Sequence, residues 1–170
     1  CGAGSLVVLL CALPVAAAML YQHLGSWDAY RMAQRVEQVL NKQSGERPEA
    51  SELMSLLGDL ARFNQDQEQP DWLFVQAQTA MQVGAYPAAA ALFARLSEVE
   101  PSNADILGWQ VQALFLARGR QLDPEIEALI DRTLQINPHQ STVLGIRGMN
   151  AFESGNYALA AQAWGQAVAV

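Results

Sequence analysis

The sequence predicts an all-α chain, with an apolar N-terminal membrane-spanning helix followed by a solenoid of paired helices. Three observations predict it. The first two dozen residues carry no charge. Beyond them, apolar residues recur at three- and four-residue steps, the period of a helix with one buried face. Finally, one set of large and small residues recurs at a fixed distance along the chain, as stacked helix pairs require.

The recurring set is clearest from Leu144 to Trp164. Leu144, Gly148 and Ala151 share one face of a first helix, and Ser154-Gly155-Asn156 forms a tight turn. Tyr157, Ala160, Trp164 and Ala167 share a face of the second helix. Glycine ends the first helix because it takes positive φ without steric cost. Small residues at Gly148 and Ala160 let the two axes approach closely, and Tyr157 and Trp164 fill the space around them. Upstream stand Leu73, Ala77, Ala80, Gly84, Tyr86, Ala89 and Phe93, then Pro101. Gly84 to Gly155, Tyr86 to Tyr157, Ala89 to Ala160 and Phe93 to Trp164 are each 71 residues apart. This is the tetratricopeptide (TPR) pattern, whose repeat is ~34 residues. Two periods leave three residues over, and the middle repeat absorbs them, since Pro101 and Pro138 lie 37 apart.

In chain order, Leu6 to Leu20 is almost continuously apolar, and the first charge is Asp28. With its uncharged flanks the run meets the ~18–20 residues of a bilayer-spanning helix, over 1–25 with its membrane-embedded part at 5–24. Pro14 lies mid-run as a kink, and Tyr21, His23 and Trp27 cluster where amphipathic rings favour the headgroup zone. A cleaved signal peptide ending near Ala16-Ala17-Ala18 is the alternative; the run exceeds the ~7–15 residue core usual there. Residues 26–48 form a juxtamembrane helix and linker: Ala29, Met32, Ala33, Val36, Val39 and Leu40 give the helix a stripe, and Ser44-Gly45 a turn. The repeat domain occupies 49–170, with an introductory helix at 51–63 closed by the polar run Asn64 to Pro70. Its repeats follow at 70–101, 102–138 and 139–170. In the middle one, Trp109, Ala113, Leu114 and Leu116 are placed on the first helix. Gly119-Arg-Gln-Leu-Asp-Pro holds the insertion, and Asp123 caps the second helix with Pro124 at its first position. Cys1 rather than Met at the start, and a last repeat ending at Val170 before its closing turn, suggest a chain continuing beyond both ends.

Composition excludes several classes. About half of the 170 residues are apolar (51%), ample for a core. Ten Lys+Arg against 17 Asp+Glu give a formal charge of −7, which argues against a nucleic-acid footprint. His23 and His139 are isolated, so no metal-ligand spacing arises, and His139 reads as a solvated turn residue. Cys1 and Cys11 form no CxxC pair. With no nucleophile–base set, phosphate loop or zinc-protease motif, the chain is expected to be non-enzymatic and without cofactors. The aromatics Trp72, Tyr86, Phe93, Tyr157 and Trp164 are expected in the repeat core. The candidate binding residues are first-helix positions facing the concave side of the solenoid. These are Phe74, Gln78, Met81 and Gln82 in the first repeat, with Gly145, Met149 and Phe152 in the third. Phe and Met exposed together suit an apolar peptide helix; the bland alternative is contact with the neighbouring repeat's first helix.

A membrane helix, the junction Leu24-Gly25-Ser26, the odd middle repeat with Gly119-Arg-Gln-Leu-Asp-Pro-Glu and the segment Gly148 to Trp164 together resemble the CcmI (CycH) family of cytochrome c maturation proteins. The resemblance covers most of the chain. It implies a chaperone that binds the C-terminal helix of apocytochrome c and presents it to a haem-ligation complex containing CcmF and CcmH. It also implies a bacterial inner-membrane location with the repeats in the periplasm. Arg31, Arg35 and Lys42 after the span mildly favour the cytoplasm instead; a further span and loop upstream would reconcile the two. In the expected mechanism, an amphipathic helix of the apocytochrome lies against Phe74, Met81, Met149 and Phe152, with Gln78 and Gln82 adding hydrogen bonds. A generic membrane-tethered TPR scaffold for an envelope complex and an NrfG-like assembly factor stay open as alternatives.

Overall fold

A computed structural model describes residues 27–40, 48–66 and 69–169. The predicted membrane span and the 41–47 linker lie outside the described residues. No described helix is long and apolar enough to cross a membrane. The chain divides into two compact units, Cys1–Glu52 and Leu53–Val170.

In the first unit, α1 covers 27–40. Its exposed side is stapled locally: Arg31 pairs with Asp28, Gln34 Nε2 donates to Tyr30 Oη at 2.9 Å, and the Trp27 and Tyr30 rings meet edge to face. Such i,i+3 and i,i+4 pairs each stabilise a helix by only about 0.2–0.5 kcal/mol.

The second unit is a run of antiparallel helices. After α2 (Ala50–Asp66) come α3 (Pro70–Gln82), α4 (Tyr86–Val99), α5 (Ala104–Ala117), α6 (Pro124–Ile136), α7 (Ser141–Glu153) and α8 (Tyr157–Val168). Helix α2 runs past the expected end at residue 63. The polar Asn64 does not close it, because its side chain is buried and its Nδ2 donates to Trp72 O (3.2 Å) and Gln76 Oε1 (2.7 Å) on α3. A polar residue whose amide N–H groups bond to a neighbouring helix is no stop signal.

Helices α3–α4, α5–α6 and α7–α8 are the three pairs, and α5 also packs against α4 and α7. Each first helix ends in the same way. Gly84, Gly119 and Gly155 have φ of +76°, +65° and +76°. The next residue's N–H bonds back across the last turn: Ala85 to Ala80 O, Arg120 to Phe115 O and Asn156 to Ala151 O, at 2.8–2.9 Å. This glycine-ended Schellman closure satisfies carbonyls that a helix end leaves unpaired.

Two cores fill the pairs. Phe93 is fully buried, with Leu73, Ala77, Ala80, Ala89 and Leu96 around it, and Leu57 of α2 and Met81 against them. Val111, Phe115, Ile126, Ile130, Val143 and Ile146 form the other. The middle repeat carries Trp109, Ala113, Leu114 and Leu116 on its first helix, as expected, but only Ala113 of the four is fully buried. Its buried residues on α5 are Ile106, Leu107, Gly108, Val111, Ala113 and Phe115, whereas Trp109, Leu114 and Leu116 are only half-buried. Leu107 and Val111 follow Leu73 and Ala77 by 34 residues, while Ile126 and Ile130 follow Ala89 and Phe93 by 37. The three additional residues therefore fall between the first-helix core and the second-helix core. The physical reason that α5 misleads is that α4, α6 and α7 all pack on it. A helix covered on several sides is apolar nearly all round, so periodicity selects no face.

In the last pair, Gly148 is where α7 and the α8 side chains come closest. A Cβ there would overlap the Trp164 indole, whereas one at Gly145 would meet nothing within 4 Å. The Trp164 Nε1–H reaches the Gly145 carbonyl at 3.4 Å. Two of the expected core aromatics are open to solvent: Tyr157 is 65% and Trp164 41% exposed. Their first-pair counterparts, Tyr86 and Phe93, are half-buried and buried. There α5 packs beside α4, and no described helix stacks beyond α8. These contacts predict opposite signs for two neighbouring substitutions. Gly148→Ala should cost about 1–3 kcal/mol through overpacking against Trp164. Gly145→Ala should be neutral or stabilising by up to ~1 kcal/mol through helix propensity. Denaturant unfolding of the two variants checks the pair.

Candidate peptide-binding groove

The first helices of the pairs, α3, α5 and α7, carry the predicted binding residues. Phe74, Gln78, Met81 and Gln82 lie on α3 at helical spacing, and Met149 and Phe152 on α7. The structure gives them different surroundings. Phe74, 37% exposed, meets Phe93 edge to face at 6.1 Å. Phe93 in turn stacks on Trp109 at 6.2 Å with 16° between the rings. Three aromatic rings thus form a ladder from α3 through α4 to α5, buried in the middle and open at both ends. Gln78 is half-buried and Gln82 exposed, while Met81 is half-buried against the first core.

At the bottom of the ladder lies a cavity of about 530 Å³, floored by Phe74, Val75, Leu96, Ile106 and Trp109. Asp71, Glu100 and Asp105 stand on its walls. Asn103 caps α5 there, its Oδ1 accepting from the N–H groups of Asp105 (3.1 Å) and Ile106 (3.3 Å).

The α7 end differs. Phe152 is 53% exposed, but its ring rests on Tyr157 (5.4 Å) and Trp164 (5.9 Å) of α8. Met149 packs against the second core, and its sulfur receives Arg120 Nη2 at 2.8 Å. Arg120 belongs to the inserted loop between α5 and α6. Gly119 and Arg120 are both left-handed, with φ of +65° and +67°. An arginine in that conformation carries roughly 1–2 kcal/mol of steric cost. Arg118 holds the loop from inside by pairing with Asp123 and Glu125, and Asp123 Oδ1 caps α6 through Ile126 N at 2.9 Å. The loop thereby delivers the Arg120 guanidinium over Met149 and within 3.9 Å of Glu153.

The predicted residues therefore divide between two places, Phe74 in the aromatic cavity and Met149 with Phe152 at the Arg120 end. Sequence reasoning missed Trp109, Asp71, Asp105, Glu100 and Arg120. One signal was present: Asp71 and Asp105 stand 34 residues apart, one repeat length. It was lost with the register of α5.

No family model matches the chain. Over 169 residues, 98% of its length, it is 31% identical to the cytochrome c-type biogenesis protein CycH of Pseudomonas aeruginosa. The chain is a homologue of CycH. It spans 39% of that CycH protein's length. Solved structures of MamA share its TPR-like fold. One has a TM-score of 0.55 at 14% identity, covering 78% of this chain and 82% of MamA. Another, of MSR-1, has 0.54 at 18%, covering 88% and 93%. At these identities the likeness concerns the fold alone; the kinship to CycH rests on sequence.

In this CycH homologue the Arg120 contact predicts a chemical signature. Arg120→Asn keeps a residue that tolerates the left-handed backbone and removes the guanidinium. Stability should change by no more than about 1 kcal/mol, as for other exposed charge contacts. The Met149 thioether should oxidise faster with hydrogen peroxide, read by peptide mass mapping. An unchanged rate would mean that Arg120 does not shield it.

Proposed function

We propose that the chain is an apocytochrome c-binding chaperone of cytochrome c maturation, which presents the apoprotein to a haem-ligation complex containing CcmF and CcmH. The observation that carries the proposal is the relationship to CycH along 98% of the chain. The candidate residues, in two places on the first helices, support it physically. Phe74, Met81, Met149 and Phe152 offer adaptable or aromatic contacts, and Gln78 and Gln82 polar ones. An amphipathic helix binds such a surface by its i, i+3, i+4 and i+7 anchors. An apocytochrome exposes a suitable apolar face before haem packs against it. Folding around haem buries that face, so release needs no separate energy source. In this proposal, residues 5–24 anchor the protein in the bacterial inner membrane and the repeats stand in the periplasm.

The test is a titration of the full chain with a peptide from the C-terminal helix of apocytochrome c, set beside folded holocytochrome. Binding of the peptide and not of the holoprotein is the expected result. Phe74→Ala combined with Met149→Ala should weaken the peptide about tenfold or more, since central anchors commonly cost above ~1 kcal/mol each when truncated. Equal binding of apo and holo forms, or none of either, would overturn the chaperone role.

A further inference from the structure

We propose that the cavity between α3, the end of α4 and the start of α5 is an anchor site for a Lys or Arg side chain flanked by a large apolar one, carried on an amphipathic segment of a polypeptide partner. This deepens the reading of the concave face as a peptide-binding surface, on which it rests.

The size is right. About 530 Å³ lies within the roughly 300–1,000 Å³ typical of ligand pockets, with room for more than one side chain. The chemistry of the walls selects the occupant. Asp71, Glu100 and Asp105 supply three carboxylates, and among the described residues no Lys, Arg or His lines the cavity. The nearby Arg132 is turned to the Pro101 carbonyl, which its Nη2 meets at 3.1 Å. The N-termini of α3 and α5 open here, and free amides there would favour an anion. At α5 the Asn103 side chain takes the Asp105 and Ile106 N–H groups, and its Nδ2 donates to Glu100 Oε2 at 2.8 Å. At α3 no described side chain caps the end, and Asp71 in its first turn sets a carboxylate beside it. Three carboxylates outweigh two helix ends of about half a positive charge each, so the potential is negative, and the apolar floor strengthens it relative to open water.

The floor adds the second requirement. Phe74 is partly exposed and Trp109 half-buried, so both lose water when an apolar group enters. Lys and Arg suit both demands, because their aliphatic stems cover apolar surface while the charged head stays at the rim. The indole face also attracts a cation directly.

Repetition gives the site a direction. Asp71 and Asp105 occupy the same repeat position, but the third repeat has Thr142 there. At that end the Arg120 guanidinium lies over Met149 instead. The groove is thus acidic over α3 and α5 and carries a cation over α7. A bound segment lays its basic end on the first two pairs and its apolar end toward Met149.

The test uses the full chain with an amphipathic Leu/Lys peptide and its uncharged Leu/Gln counterpart, titrated at low and moderate salt. The protein variant is Asp71→Asn, Glu100→Gln, Asp105→Asn combined, near-isosteric changes at exposed positions. We expect this variant to bind the Lys peptide about tenfold more weakly at low salt, with a flattened salt dependence. The Gln peptide should bind both proteins alike. Phe74→Ala should weaken both peptides, which reports on the floor independently of charge. Equal affinity and equal salt dependence of the Lys peptide for wild type and triple variant would overturn the proposal. Loss of Lys-peptide binding in the triple variant, with no binding of an apocytochrome peptide to wild type, would sink the cytochrome reading and leave the cavity standing. An apocytochrome peptide bound equally by both proteins, together with a Lys peptide indifferent to the variant, would do the reverse.

Discussion

Phe93 is the ring on which the repeat stack depends, because it belongs to one helix pair and is buried by two. Its own pair surrounds it with Leu73, Ala77 and Ala89, and the next pair covers its face with Trp109. A single pair cannot bury its apolar stripe, so each repeat gains stability only from a neighbour. Removing a ring so placed typically costs about 3–5 kcal/mol, a large share of the ~5–15 kcal/mol that holds most domains folded. The same ring supports Phe74 from behind. The structural core is thus the middle of one aromatic ladder whose ends reach the candidate site.

That arrangement matters for recognition. A binding residue backed by packed rings is held in place before the partner arrives, and less side-chain entropy is lost on association. The α7 end is organised differently: Met149 lies under an arginine on a left-handed loop, and Phe152 leans on the aromatics of α8. The α3 end of the candidate site is an acidic cavity, and the α7 end is an apolar surface with a cation across it. The three additional residues of the middle repeat are what bring that cation there. Without them the turn between α5 and α6 would be as short as the one between α3 and α4, and Arg120 would not reach Met149.

The outer repeats were legible because their helices each have one buried face. Leu73, Ala77, Phe93 and their partners near Leu144 and Ala160 stand out as apolar or small residues at fixed steps. The turns were legible for a different reason: positive φ is cheap only for glycine, so Gly84 and Gly155 announce the helix ends. Asp123 with Pro124 marked the start of α6 by the same local logic of capping. The middle first helix was not legible, because α5 is packed on several sides and its sequence no longer distinguishes core from groove. Its cavity-lining residues were lost with it, including Trp109 and Asp105. The end of α2 was hidden too, since Asn64 finds its partners on another helix.

By itself the sequence determined the helical class, the repeat period, the glycine-ended turns and the kinship to CycH. All of these rest on local steric rules or on residue identity. Tertiary structure alone decided which faces of α5 are buried, that the Asp71 and Asp105 carboxylates share a cavity with Trp109, and that Arg120 covers Met149. Each of those depends on where separate helices lie in space. Spacing along one helix carries no information about the distance to another until the packing between them is known.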